Sequence, residues 1–334
     1  MKAHPLLLCF AAVIASAQTH YRVIDKIPIG GDGGWDYATM DTASRGLFVS
    51  HAEKVVVVDV DKRVVVGEIP ATPGVHGIAI APALNRGFTS NGRANTISIF
   101  DLKTLQVLAT AATGMNPDAI LYEERAKRVF AFNGRSKDAT VLDTTTNRVL
   151  ATIPLGGKPE FAVRDGKGMI YVNIEDTHEV VQIEANKLSV VKRYVLDGCE
   201  DPTGLAMDAA KRRLFSVCGN KVMIVSDPDR GKVVATVAIG EGSDGAGFDS
   251  TRGLAFSSNG EGTITVVGEA AGRYQVVETV PSQRGARTMA VDTQNHRIYL
   301  PAARFGPTPA PSPGKANPRA PMLPDSFELL VVGN

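Results

Sequence analysis

Short apolar runs, separated by turn-forming residues, dominate the hydrophobic pattern, and no stretch shows a sustained amphipathic helical stripe. Seven short segments share one pattern of alternating apolar and small or polar positions. They are 36–41 (DYATMD), 76–81 (HGIAIA), 118–123 (DAILYE), 160–165 (EFAVRD), 203–208 (TGLAMD), 244–249 (DGAGFD) and 287–292 (RTMAVD). Successive segments lie 40 to 43 residues apart. After each comes a turn and a short apolar strand, such as GLFVS ending at Ser50 or RLFSV ending at Val217. A β-rich strand follows, for example VVVVDV from Val55, TISIFDL from Thr96 or KVMIVSD from Lys221. An acid often opens the next turn, as at Asp59, Asp101, Asp143, Glu184 and Asp227, before a fourth strand such as RVVVGEIP from Arg63.

Four strands per repeat, at a period of roughly 40–45 residues, predict an all-β fold, a β-propeller. The count gives seven four-stranded blades in a single domain over residues 18–334. The last repeat runs out of chain after its third strand at 327–332 (FELLVV), while residues 21–29 (YRVIDKIPI) form a strand with no blade of their own. The N-terminal strand is therefore expected to complete the last blade and close the ring, which removes exposed sheet edges. Residues 301–325, dense in proline, interrupt the seventh repeat between its second and third strands and are expected to form a loop.

Residues 89–114 (TSNGRANTISIFDLKTLQVLATAATG) and the stretch YVNIEDTHEVVQIE from Tyr171 resemble the YVTN-repeat β-propeller family, also called YncE-like. The likeness extends over nearly all of the chain after residue 17. It implies the propeller fold and specifies activity weakly. The defining tetrapeptide is altered in every repeat, for example to FVSH at 48–51, and no blade carries a Trp-Asp pair at a strand end.

Residues 1–17 read as a secretory signal: Lys2, an apolar stretch at 6–15, and Ala15-Ser16-Ala17 before the expected cleavage point. The apolar stretch is shorter than the ~20 residues that span a bilayer. A periplasmic or secreted location follows as an expectation. Cleavage removes Lys2 and no acid, taking the formal charge from +1 to 0. That balance argues against nucleic acid or an anionic membrane as partner; a monomer is expected. Cys199 and Cys218 lie nine residues before and ten after Asp208. A first-strand/second-strand hairpin would bring them together, so a disulfide between them is expected.

In a propeller the first strands line the axis, and the loops that enter them share a face with the loops leaving the second strands. That face collects Asp36, His76, Asp118, Glu160, Thr203, Asp244 and Arg287, one residue from each blade. The neighbouring loops add Trp35, His51, Asn91, Arg93, Asn133, Arg135, Asn173, Glu175, Glu200, Asn259, Arg284 and Arg304. This axial mouth is the expected ligand-binding site. The asparagines of the Asn-Gly pairs also serve as turn formers. Two carboxylates about 8 Å apart repel by roughly 2 kcal/mol at an effective dielectric near 20, so the acids need positive company. Arginines could supply it, and so could a divalent metal on His51, His76, Asp118 and Glu160, a mixed set acceptable to zinc or manganese. No other cofactor is expected: haem-attachment, Walker, nucleophile-elbow and zincin motifs are missing.

Three functions compete. The first is a non-catalytic scaffold that binds a small molecule or protein at the mouth. The second is a lactonase-like or other metal-assisted hydrolase using the mouth carboxylates, suggested by fold-level analogy. The third is an accessory subunit of a periplasmic redox system.

Overall fold

The computed structural model describes residues 20–310 and 320–334. The expected signal segment and residues 311–319 of the proline-dense loop lie outside the described residues.

Seven antiparallel four-stranded sheets follow one another around a ring. The first blade runs Trp35–Asp41, Gly46–His51, Lys54–Asp59 and Val64–Ile69, and the next five repeat this order without crossovers. In the seventh blade, Ala290–Asp292, Arg297–Ala302 and Glu328–Gly333 are completed by Arg22–Pro28. That N-terminal strand pairs antiparallel with the last one, Ile27 opposite Leu329 and Lys26 opposite Leu330, so the ring is closed by its two ends. The fold is a seven-bladed β-propeller. Only Pro82–Leu84, a single 3-10 turn, is helical among the described residues.

Burial explains the sequence pattern. Second and third strands are covered by a blade on each side, so their runs are buried almost throughout, as in VVVV of the first blade and ISIF of the second. Fourth strands alternate, with one face turned to solvent. Seven apolar clusters each bridge one pair of neighbouring blades. One example joins Phe130, Phe132 and Val141 of the third blade to Ile170, Val172 and Val181 of the fourth. The closing junction has its own, with Trp35, Leu47 and Val49 packed on Tyr299, Phe327 and Leu329.

The acids that end the first strands are structural. On the ring face opposite the mouth, Asp41, Asp208 and Asp249 accept backbone N–H groups of the following turn. Several also clasp a neighbouring blade. Asp292 accepts from Arg45 at 2.7 Å, Asp165 from Arg212 at 3.0 Å, and Asp249 lies 2.6 Å from His296 Nδ1. Cys199 and Cys218 are joined in a disulfide, their Cα atoms 5.5 Å apart, at the hairpin mouth of the fifth blade.

Candidate functional site: the axial mouth

One irregularity recurs in the first strands of six blades. Each carries an extra residue relative to its second strand, a β-bulge, at Trp35/Ala38, Val75/Ile78, Pro117/Ile120, Pro159/Ala162, Pro202/Leu205 and Ser243/Gly245. Asp36, His76, Asp118, Glu160, Thr203 and Asp244 sit inside these bulges. A bulge bends its strand and re-aims a side chain that regular pleating would fix. The bulged backbone is held from the second strand. Ser50 Oγ accepts from Asp36 N at 2.9 Å, Ser90 Oγ from Gly77 N at 2.8 Å and Ser258 Oγ from Gly245 N at 3.1 Å. The seventh blade departs from the rule. Its first strand is short, Thr288 takes φ +55°, and Arg287 stays exposed.

The bulges bring Asp36, His76 and Asp118 together. His76 Nδ1 lies 2.6 Å from Asp36 Oδ2 and 3.9 Å from Asp118 Oδ1. Glu160 bonds Lys158 at 2.7 Å, and Lys158 also contacts Glu175. Arg287 stands 3.8 Å from Asp244. Beneath the acids, Tyr37 and Phe161 meet edge to face, centroids 5.2 Å apart. With Ile78, Ile120 and Ala162 they line a small cavity of about 60 Å³. The mouth thus has a closed, low-polarity floor.

That floor sets the electrostatics. Burial, then the charge of Asp36, pushes the Asp118 carboxyl up to about 6, against the pull of His76. Burial pushes Asp244 to about 6 as well, with Arg287 opposing. Glu160 rises to about 8 through burial and the charge of Asp118, although Lys158 pulls the other way. Burial would make His76 and Lys158 shed their protons. It is outweighed for His76 by the bond to Asp36 and the charges of Asp118 and Glu160, and for Lys158 by Glu160 and Glu175, so both sit above their ordinary values. Tyr37 is pushed well up by burial and the surrounding acids and stays neutral. The carboxylates exceed their protein counter-charge: Asp118 Oδ1 and Asp244 Oδ2 are buried without a hydrogen-bond partner among the described residues.

Several expected mouth residues are elsewhere or otherwise engaged. His51 is not beside His76. It pairs in register with Trp35, is buried, and stacks on Phe327 at 4.3 Å between centroids, so it drops out of the expected metal set. Burial, with the charge of Lys54, lowers its pKa and keeps the ring neutral. Trp35 is largely buried, stacked 5.1 Å from Phe327, and also lines a space of about 410 Å³ with Arg287 and Phe305. Asn91, Asn133 and Asn259 are fully buried and donate to Ser98, Thr140 and Thr265 of their own blades, which fixes the loop after each second strand. Asn173 donates to the Thr203 and Gly204 carbonyls and accepts from Ser216, tying the fourth blade to the fifth. Arg93 pairs with Glu53 at 2.6 Å rather than with the ring acids. With Arg135 and His76 it borders a groove of about 500 Å³ beside the mouth. Arg284 and Arg304 line a separate space of about 720 Å³ with Phe305 and Leu323, under the arm that opens the proline-dense loop. Glu200 is exposed at the disulfide-bound loop.

Lys158 and Tyr37 escaped the sequence reading. Lys158 stands two residues before Glu160, and Tyr37 follows Asp36 directly. The period-2 spacing that puts Lys158 on the face of Glu160 is the signal that would have found it.

No protein-family model matches this chain, and no curated protein does. Among solved structures, its fold is similar to that of Kuenenia stuttgartiensis hydrazine synthase. The two are 16% identical with a TM-score of 0.69, over 81% of this chain and 94% of that one. Similarity at this level of identity carries the architecture and none of the chemistry.

Proposed function

We propose that this protein is a binding propeller, a rigid scaffold whose axial mouth captures a cation or the cationic group of a ligand or partner. The observation that carries this reading is the convergence of Asp36, Asp118, Glu160 and Asp244 from four blades over a closed floor. Their shared counter-charge is His76, Lys158 and Arg287. Buried carboxylates with raised pKa values and unpartnered oxygens are a preorganised receptor for positive charge: the cost of stripping water from them is met by folding, before the ligand arrives. The reading assigns no reaction.

We also propose an exported protein of the YVTN-repeat type. The 40–43-residue repeat and residues 89–114 support the family; the N-terminal segment and the Cys199–Cys218 disulfide support export to an oxidising compartment.

Hexaamminecobalt(III) tests the mouth. It is a substitution-inert trication that binds through charge and outer-sphere hydrogen bonds alone. Equilibrium dialysis of the metal-free protein at pH 7 is expected to show saturable binding that weakens with salt and is lost in the Asp118→Asn/Asp244→Asn double variant. Absence of saturable binding, or binding unchanged in that variant, refutes the reading.

A further inference from the structure

We propose that Asp36, His76 and Asp118 form an inner-sphere site for a divalent cation of the zinc, cobalt or manganese class. One ligand atom from each residue lies within 4.8 Å of the other two. The three come from three consecutive blades at the same bulge position, so the site is a product of the ring and not of a local loop. This proposal rests on the reading of the mouth as a cation receptor and goes past it, from charge capture to direct ligation.

Geometry and chemistry both favour ligation. Metal–ligand bonds of about 2.0–2.2 Å in a tetrahedral site place neighbouring ligand atoms roughly 3.3–3.6 Å apart. His76 Nδ1 and Asp118 Oδ1, at 3.9 Å, need to draw in slightly; His76 Nδ1 and Asp36 Oδ2, at 2.6 Å, need to part slightly. The short His76–Asp36 contact is a hydrogen bond whose proton occupies the place a metal would take. Asp118 Oδ1 supplies the second, independent observation. It is buried, has no donor among the described residues, and lies on the imidazole side of its carboxylate.

The ligands are also held from behind, as metal ligands commonly are. Ser90 serves two of them, accepting from Gly77 N next to His76 and donating to the Asp118 carbonyl. Ser50 fixes the backbone of Asp36. Gly92 makes room for the imidazole: a Cβ there would stand 2.6 Å from His76 Nε2, and that close approach explains a residue without a side chain. Three protein ligands leave further positions facing the open mouth. One imidazole nitrogen with two carboxylates suits zinc, cobalt or manganese better than calcium or magnesium, which take all-oxygen sets.

The test is titration of the metal-free mature protein with cobalt(II), read by its visible d–d absorption, followed by displacement with zinc. Expected are one cobalt per chain, loss of the absorption on adding zinc, and no effect of a large excess of calcium. His76→Ala and Asp118→Asn are expected to weaken cobalt by at least about tenfold, and Gly92→Ala, which crowds the imidazole without removing a ligand, by a similar factor. Trp35 fluorescence checks that each variant is folded. Should His76→Ala unfold, Gly92→Ala and Asp118→Asn carry the decision. Absence of a d–d spectrum while hexaamminecobalt(III) still binds overturns the metal site and leaves the cation reading standing. Failure of both probes overturns both. Cobalt binding unchanged in the folded variants places the metal elsewhere and overturns the assignment.

Discussion

The closing junction makes the most demanding prediction, because both ends of the chain and one buried ion pair meet there. Arg45, from the first blade, donates to Asp292 of the seventh at 2.7 Å; the Asp292 side chain is fully buried and that of Arg45 is 15% exposed. Arg45→Ala leaves a buried carboxylate with only backbone partners, such as Gln294 N at 3.1 Å. Removing one member of a buried pair costs about 3–5 kcal/mol. We take about 3 kcal/mol here, because the backbone bonds persist and the second partner of Arg45, Asp61, is half-exposed and contributes little. With an unfolding entropy of about 2.1 cal/mol/K per residue, a chain of this length loses roughly 1.5 °C of Tm per kcal/mol, so the variant should melt about 5 °C lower.

The pH dependence has a definite sign. Burial alone would raise the Asp292 pKa, but Arg45 outweighs it and holds it below 3.8. A depressed carboxylate stabilises the fold above its unfolded pKa, and that stabilisation is lost as pH falls through the folded value. Without Arg45 the benefit is gone, so the deficit of the variant should be full at pH 7 and shrink below about pH 4. The molecule carries its own reporter. Its one tryptophan, Trp35 of the first blade, stacks on Phe327 of the seventh. Thermal and urea unfolding followed by Trp35 fluorescence and by far-UV circular dichroism, at pH 7 and at about pH 3, measure the loss. A Tm shift under 1 °C at pH 7, or a deficit as large at about pH 3 as at pH 7, refutes the account. Asp292→Asn added to Arg45→Ala should recover part of the stability, since it removes the stranded charge.

Two further outcomes are expected. Cys199→Ala with Cys218→Ala opens a loop of 19 residues and should cost about 3 kcal/mol in the chain-entropy model, or about 5 °C of Tm; a thiol titration of unreduced, unfolded wild type that finds two free thiols removes the basis for this. In EDTA, Asp244→Asn should stabilise the fold by about 1–2 kcal/mol at pH 7, a figure already reduced for solvent screening, because a carboxyl raised to about 6 costs stability progressively between its unfolded 3.8 and 6; urea midpoints equal to wild type at pH 7 and pH 4 would count against that cost.

The ring was legible because every blade repeats one burial scheme. Strands covered on both sides read as unbroken apolar runs such as VVVV and ISIF, and the 40–43-residue period follows from repeating them. Closure was legible because residues 21–29 and 327–332 are each incomplete without the other. The disulfide was legible from two offsets about a hairpin. The site was legible only as a ring of candidates. Which of them converge depends on a one-residue bulge in the first strands of six blades, and a bulge leaves no period for a sequence to show. His51 and Asp36 belong to adjacent strands of one hairpin, yet one stacks into the core while the other bonds His76 at the axis. The buried asparagines were ambiguous for a related reason. Turn former and interstrand clamp require the same residue at the same place, and Asn133, donating to both Asp138 and Thr140, is both.

The repeat explains why polar chemistry collects at this mouth. Each junction between blades has its own apolar cluster, so ring stability is spread over seven interfaces and depends little on any axial side chain. The bulge position is therefore the place in each blade where a residue can change without disturbing a core. The residues found there differ around the ring: Asp36, His76, Asp118 and Glu160 on the first four blades, Thr203 on the fifth, Asp244 on the sixth. The result is a mouth whose first four blades gather acids together with their counter-charges, His76 and Lys158, while on the far side Arg287 faces Asp244. On the proposed reading of the mouth as a cation receptor, a symmetric backbone presenting an asymmetric charge pattern would orient what it binds. A cation drawn to Asp118 meets His76 and Asp36 on one side and the Lys158-bound Glu160 on the other.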